Sequence, residues 1–136
     1  MTIKLKAKTF GPVFAFFDTP DVVQYASTEI SERRPHPPAG TPVDMLLASL
    51  AYCMVKSVEW AAQNQGASVL PFSVKITGTK APDLPGRVKL MEVTLIGKLV
   101  EDAVTRRQIV KLAKNICTVS NTLNCEISVA TEPADG

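Results

Sequence analysis

Residues 41–66, TPVDMLLASLAYCMVKSVEWAAQNQG, constrain the chain more than any other stretch. Thr41 is a favoured N-cap, and Pro42 falls at the first helical position, where a missing N–H is no loss. Asp44 stands three residues after the cap and completes a capping box with Asp in place of Glu. Gly66 supplies the stop. About six turns at 3.6 residues per turn lie between them. From Met45 to Val55 the only polar groups are the Ser49 hydroxyl, the Tyr52 phenol and the Cys53 thiol. A helix this apolar is covered on most of its sides. Lys56, Glu59, Gln63, Asn64 and Gln65 make its second half too polar to span a membrane. The expectation is a buried central helix with a cysteine near its middle.

The remaining sequence reads around that helix. Thr2–Thr9 alternates Ile3, Leu5 and Ala7 against Lys4, Lys6 and Lys8, as a half-buried strand does. Gly11-Pro12 punctuates it. Val13–Phe17 and Val22–Ala26 are two further strands around a Pro20 turn, so residues 1–26 read as an antiparallel meander. Residues 27–40 hold Arg33, Arg34, His36 and three prolines, a loop of a length more often functional than not. After the helix, Leu70–Thr77 alternates as a strand, and Thr79–Arg87 is a turn or loop. Val88–Val100 is a long strand whose apolar parity slips between Leu90 and Met91. That slip signals a bulge, or a strand covered on both faces. Glu101–Ile116 is a second helix with an Ile109, Leu112, Ala113, Ile116 stripe and charges matched to its dipole. Leu123–Ala130 closes the chain as a strand.

The result is a β-β-β-α-β-β-α-β order of α+β class, in a single domain over residues 1–136, with the strand pair, second helix and closing strand in 70–130. One more helix and two small sheets are too little to cover so apolar a central helix. A homodimer is therefore expected.

The chain has 136 residues, 46% of them hydrophobic, which suffices for a core without disulfide staples. Its net charge of +2, from 15 basic and 13 acidic residues, argues against a dedicated nucleic-acid surface. The opening MTIKLKAKTF lacks the apolar core of a signal peptide, so a cytoplasmic protein is expected. Three cysteines, Cys53, Cys117 and Cys125, none in a CxxC, read as thiols instead of a disulfide framework. With His36 the one histidine, no metal is expected.

Cys125 shares its strand parity with Ile127 and Val129 and reads as core. Cys53 has a stronger claim to chemistry. Lys56 lies one turn away, and its charge favours a thiolate if the two side chains converge. Cys117 sits at a helix-to-loop junction. Spacing alone leaves a Cys53–Cys117 redox pair and two inert core thiols both open, and proximity in the fold decides between them. His36 reads as a solvated loop residue.

The run PVDMLLASLAYC (Pro42–Cys53), followed by CTVSNTL (Cys117–Leu123), resembles the OsmC/Ohr superfamily, the osmotically inducible protein C and organic hydroperoxide resistance proteins. The resemblance covers nearly the whole chain and implies an intertwined homodimer with two active sites at the subunit interface. It implies a thiol-dependent peroxidase in which Cys53 is peroxidatic and Cys117 resolving. The Cys53 thiolate would reduce an organic hydroperoxide and become a sulfenic acid. Cys117 would then close a disulfide, and a dithiol reductant (a lipoylated protein in some members) would reopen it. No cofactor is implied.

Peroxidase members place a Glu after the proline that opens the helix, paired with an Arg from the N-terminal sheet. Here that position is Val43 and the acid is Asp44, about 100° further round the helix. No Arg precedes Arg33. Arg33 or Arg34 replaces the family's Arg from the loop, or the two are a solvated pair; Asp44 is a supporting acid or simply the helix cap. Thr118 stands where proline is common. These differences resemble the OsmC-like branch. Two further readings remain open: a non-catalytic dimer that binds an apolar small molecule at its interface, and a thiol redox sensor.

Overall fold

The computed structural model describes residues 8–28 and 31–134. Its elements are β1 (Thr9–Thr19), β2 (Val22–Ala26), α1 (Pro42–Asn64), β3 (Phe72–Lys80), β4 (Val88–Ile96), α2 (Ala103–Ile116), α3 (Thr118–Thr122) and β5 (Glu126–Glu132). The class is α+β as expected, but the strands form one sheet instead of two. Its order is β2-β1-β3-β4-β5. The join is made by β1, which at 11 residues is long enough to pair antiparallel with β2 along one edge and β3 along the other. β5 runs parallel to β4, a pairing that needs a crossover; α2 and α3 provide it.

Gly11-Pro12 does not end a strand. It forms a bulge inside β1, between Phe10 and Val13, around a cis peptide. Gly11 has φ of 82°, and a side chain there would meet the Ile76 carbonyl oxygen at 2.8 Å. Only glycine suits both conditions. The strand expected over Thr2–Thr9 lies outside the described residues up to position 7, and Thr9 opens β1.

α1 begins and ends as its sequence dictates. The Thr41 hydroxyl accepts from the Asp44 N–H at 3.3 Å, and the Asp44 carboxylate accepts from the Thr41 N–H at 2.8 Å. A third donor, the Gly11 N–H, reaches the same carboxylate at 2.9 Å, so the β1 bulge fastens the helix start to the sheet. At the other end Gly66, with φ of 66°, donates to the Gln63 carbonyl, and Ala67 donates to that of Ala62. These two bonds are a Schellman stop.

The main core lies between one sheet face and the helices. Val13, Ala15 and Phe17 of β1, Val74 and Ile76 of β3, and Met91, Val93 and Leu95 of β4 meet Leu47, Leu50, Met54, Val55 and Val58 of α1. Ile109 and Ala113 of α2 close it, whereas Leu112 and Ile116 from the expected stripe are half-buried at its margin. Phe14, Phe16 and Ala26 form a smaller cluster apart from it. The parity slip in β4 is a bulge: Thr79 pairs with Leu90 and Lys80 with Val88, which leaves Lys89 without a partner. β4 stops at Ile96, short of Val100, because Gly97 and Leu99 adopt positive φ and turn the chain. By length and composition α1 could cross a membrane, yet more than half of that apolar window is buried in the fold, as in a soluble core helix.

α3 was not expected. The sequence reading begins the last strand at Leu123, and β5 begins at Glu126. Thr118–Thr122 is short and polar, and its side chains satisfy nearby backbone. Ser120 Oγ donates to the Cys117 carbonyl, Thr122 Oγ1 to that of Thr118, and Asn121 Nδ2 to that of Asn115. Bonds of this kind hold a brief turn without an apolar pattern to announce it.

Candidate active site

Cys53 lies at the middle of α1 and Cys117 at the joint where α2 ends and α3 begins. α1 packs against both of those helices, which brings the two thiols together. Cys53 lies near enough to Cys117 to act on its thiol. Their exposure differs: Cys53 is half-buried and Cys117 is fully enclosed. Burial pushes the Cys117 thiol up, Ser120 draws it partly back, and the neighbouring Cys53 raises it again. A proton on Cys117 is thereby favoured while Cys53 carries negative charge.

Two cavities flank Cys53. One, of about 490 Å³, lies among Tyr25, Pro37, Met45, Ser49, Tyr52 and Val119. The other, of about 370 Å³, lies among Ser57, Trp60, Ile116 and Thr118. Lys56 lines both. The Tyr25 and Tyr52 rings stack at 6.5 Å. Burial, then the neighbouring Tyr52, push Tyr25 up to about 12. Neither tyrosine stood out in the sequence. The signal was weak: Tyr52 is adjacent to Cys53, but Tyr25 arrives only through the pairing of β2 with β1.

The supporting residues divide. Lys56 is at the site, its Nζ 3.2 Å from Glu59 Oε2 and 3.8 Å from Asp21 Oδ1. Burial opposes its charge, but the bond and charge of Glu59, with Tyr52 and Asp21, raise its pKa on balance. Asp44 is committed to the helix cap and to Gly11, nine residues and about 13 Å of helix before Cys53. Arg33 goes elsewhere: it pairs with Asp18 at 2.6 Å and covers the Phe16 ring at 3.9 Å. Phe16 belongs to the cluster apart from the α1 core, so Arg33 is drawn away from Cys53. Arg34 pairs through its backbone with Tyr25 and through its side chain with Glu32 at 3.6 Å. It lines a hollow with His36 on another side of Tyr25, and His36 Nδ1 meets the Pro37 carbonyl at 3.2 Å. Cys125 packs half-buried against the core, and burial raises its thiol. Among the described residues no three His, Cys, Asp or Glu side chains converge as a metal site would require.

The pattern of the family described as OsmC-like protein matches residues 35–132, well over half the chain. The chain belongs to the OsmC-like family. Solved structures of OsmC-like proteins share its fold. An OsmC-like protein from Mycoplasma pneumoniae superimposes with a TM-score of 0.62 at 13% identity, covering 98% of this chain and 99% of that one. An organic hydroperoxide resistance protein OsmC from Legionella pneumophila gives 0.56 at 14% identity, covering 98% of each chain. The organic hydroperoxide resistance protein OhrB of Bacillus subtilis gives 0.55 at 14% identity, over 95% of this chain and 98% of that one. At such identities the likeness is one of fold. No curated protein matches the sequence.

Proposed function

We propose that the chain is a thiol-dependent peroxidase that reduces organic hydroperoxides, with Cys53 peroxidatic and Cys117 resolving. The nearness of a half-buried Cys53 to an enclosed Cys117 carries this reading. The Cys53 thiolate attacks the distal oxygen of the peroxide. The S–O bond forms, the O–O bond breaks, and the leaving alkoxide takes a proton to become the alcohol. Sulfur is oxidised to a sulfenic acid. Cys117 attacks that sulfur, expels water and closes the disulfide. A dithiol, possessing two thiols to exchange in turn, restores both cysteines and is itself oxidised. The names of the Legionella and Bacillus relatives support hydroperoxides as the substrate class.

The active form is a homodimer. Met45, Tyr52 and Trp60 leave an exposed apolar stripe along α1 that a second copy would cover.

The test is to treat reduced protein with one equivalent of cumene hydroperoxide, map its thiols by mass spectrometry, and follow turnover with dihydrolipoamide. A rapid Cys53–Cys117 disulfide, sustained turnover and its loss in Cys53→Ser are expected. Full turnover in Cys53→Ser would refute the reading. Disulfide formation without turnover would mark a redox sensor.

One observation favours a second reading, a dimer that binds an apolar molecule without catalysis. Neither arginine lines a cavity beside Cys53. That reading requires thermal stability to rise with an apolar ligand, because binding to the native state must stabilise it.

A further inference from the structure

Attack of a thiolate on a peroxide moves negative charge from sulfur to the leaving oxygen. Preorganised positive charge at that place lowers the barrier. Arg33 is drawn away over the Phe16 ring, and neither it nor Arg34 lines a cavity beside Cys53. Of the residues lining the two cavities beside Cys53, Lys56 alone carries positive charge. It stands three residues after Cys53, on the same side of α1.

We infer that Lys56, braced by Glu59 and Asp21, is the cation of the Cys53 site, stabilising the attacking thiolate and then the departing alkoxide. This rests on the peroxidase reading for its second step and on geometry alone for its first. A lysine head on a four-carbon stem is mobile unless something holds it. Glu59 holds this one, and Asp21, 95% exposed at 3.8 Å, is a looser second partner. Glu59 is at i+3 with its side chain 13% exposed, and Asp21 reaches across from the β1–β2 turn. The first is a short ion pair on one helix; the second is a longer, exposed pair from the turn. Lys56 is therefore a catalytic residue, and Glu59 and Asp21 are positioning residues. Their charge also keeps the ammonium protonated against the opposing effect of burial.

In the reaction the ammonium donates a hydrogen bond to the leaving oxygen as the O–O bond breaks, and solvent supplies the proton that completes the alcohol. The other titratable groups facing Cys53 are Tyr52 on α1, Tyr25 on β2 and Cys117 at the α2–α3 joint. Tyr25 is pushed up to about 12 and Cys117 is raised by burial, so both are favoured in their neutral forms and neither offsets the Lys56 charge.

The deciding experiment reads Cys53 without requiring turnover. Alkylation of Cys53 by iodoacetamide is followed against pH, with the labelled peptide identified by mass spectrometry, in the full chain and in Lys56→Met, Lys56→Arg and Glu59→Gln. Cumene hydroperoxide turnover with dihydrolipoamide is measured in parallel. The alkylation midpoint should rise by about one pH unit in Lys56→Met and fall in Glu59→Gln, where the cation is no longer offset. Lys56→Arg should stay near the parent. At neutral pH, kcat/KM should fall about tenfold in Lys56→Met and recover as pH rises. A structural role would move Lys56→Met and Glu59→Gln in the same direction, so opposite signs are the signature.

Unchanged midpoints in both variants would overturn the inference. If Lys56→Met failed to fold, an unmoved midpoint in Glu59→Gln would overturn it equally. Shifted midpoints in a protein that never turns over peroxide would instead overturn the peroxidase reading and leave Lys56 as the cation of the Cys53 site.

Discussion

Cys117 is where the two thiols differ most. Its burial favours the protonated form, yet resolution of a Cys53 sulfenic acid requires a thiolate. The sulfenic acid forms in a cavity; its resolution waits on a sealed thiol. Closure of the disulfide should therefore remain slow at neutral pH and accelerate by about tenfold per unit up to and beyond the ordinary thiol pKa. Quenched-flow mass spectrometry of the sulfenic and disulfide forms would measure it, and a closure rate flat between pH 7 and 9 would be the contrary result. Tyr25 makes a second, independent prediction. Its phenol is raised from 10.0 to about 12 in the folded chain. A raised pKa gives stability that is fully present below the unfolded value and is lost as pH climbs to the folded value. Stability to urea should accordingly decline from pH 10 to 12, and less steeply in Tyr25→Phe; equal slopes would contradict this. These residues also mark the limits of sequence reading. Cys53 and Cys117 stood out because thiols are few and their placement on helices is plain. Tyr25 did not, because a single aromatic on a short strand gives no sign of what a later helix will bring beside it. Arg33 was visible as a charge, but Asp18, the side chain that claims it, becomes a neighbour only once the chain folds.

The elements were legible where local chemistry sets them. The capping box at Thr41 and Asp44 and the stop at Gly66 fix α1 from a few neighbouring residues, and Asp102 caps α2 in the same way by accepting from the Thr105 N–H at 2.8 Å. The Gly11-Pro12 bulge was not legible as such, because the same dipeptide ends a strand or bends one according to the partner it meets. Here the partner is β3, whose Ile76 carbonyl crowds Gly11. α3 was hidden because four polar residues around one valine carry no periodicity. The same contrast predicts how α1 responds to loss of Asp44. Its carboxylate serves both the helix cap and the β1 bulge. Removal of an N-terminal cap costs about 1 kcal/mol, and loss of a hydrogen bond that leaves a backbone donor unpaired costs about as much again. Asp44→Ala should thus destabilise the fold by about 2 kcal/mol in urea titration, while the Cys53 alkylation midpoint stays in place. A shifted midpoint would return Asp44 to the chemistry of the site.

At the scale of the whole molecule the outer side of α1 sets the question of assembly. Its inner side is fully used by the sheet and α2, yet Met45 remains 64% exposed, Tyr52 45% and Trp60 53%. These residues and Cys53 fall on one stripe, at spacings of seven, one and seven residues, so whatever covers the stripe also roofs the thiol. Isolated apolar residues at a surface are ordinary; three large ones in line beside a reactive group mark an interaction face. A second copy of the chain is the proposed cover, and a two-fold contact would set each α1 against its partner. The dimer would then exclude water from Cys53 and its cavities, which strengthens the pull of Lys56 on the thiolate. Met45→Glu combined with Trp60→Glu would place carboxylates in that contact and should yield a single-chain mass by light scattering at a concentration where the parent has the mass of two. Trp60 is the one tryptophan, so its emission in the parent should shift to the red on dilution as the contact opens. Loss of turnover should follow the same concentration dependence. A parent protein that stays at single-chain mass with undiminished turnover would mean that the Cys53 site is complete within one chain.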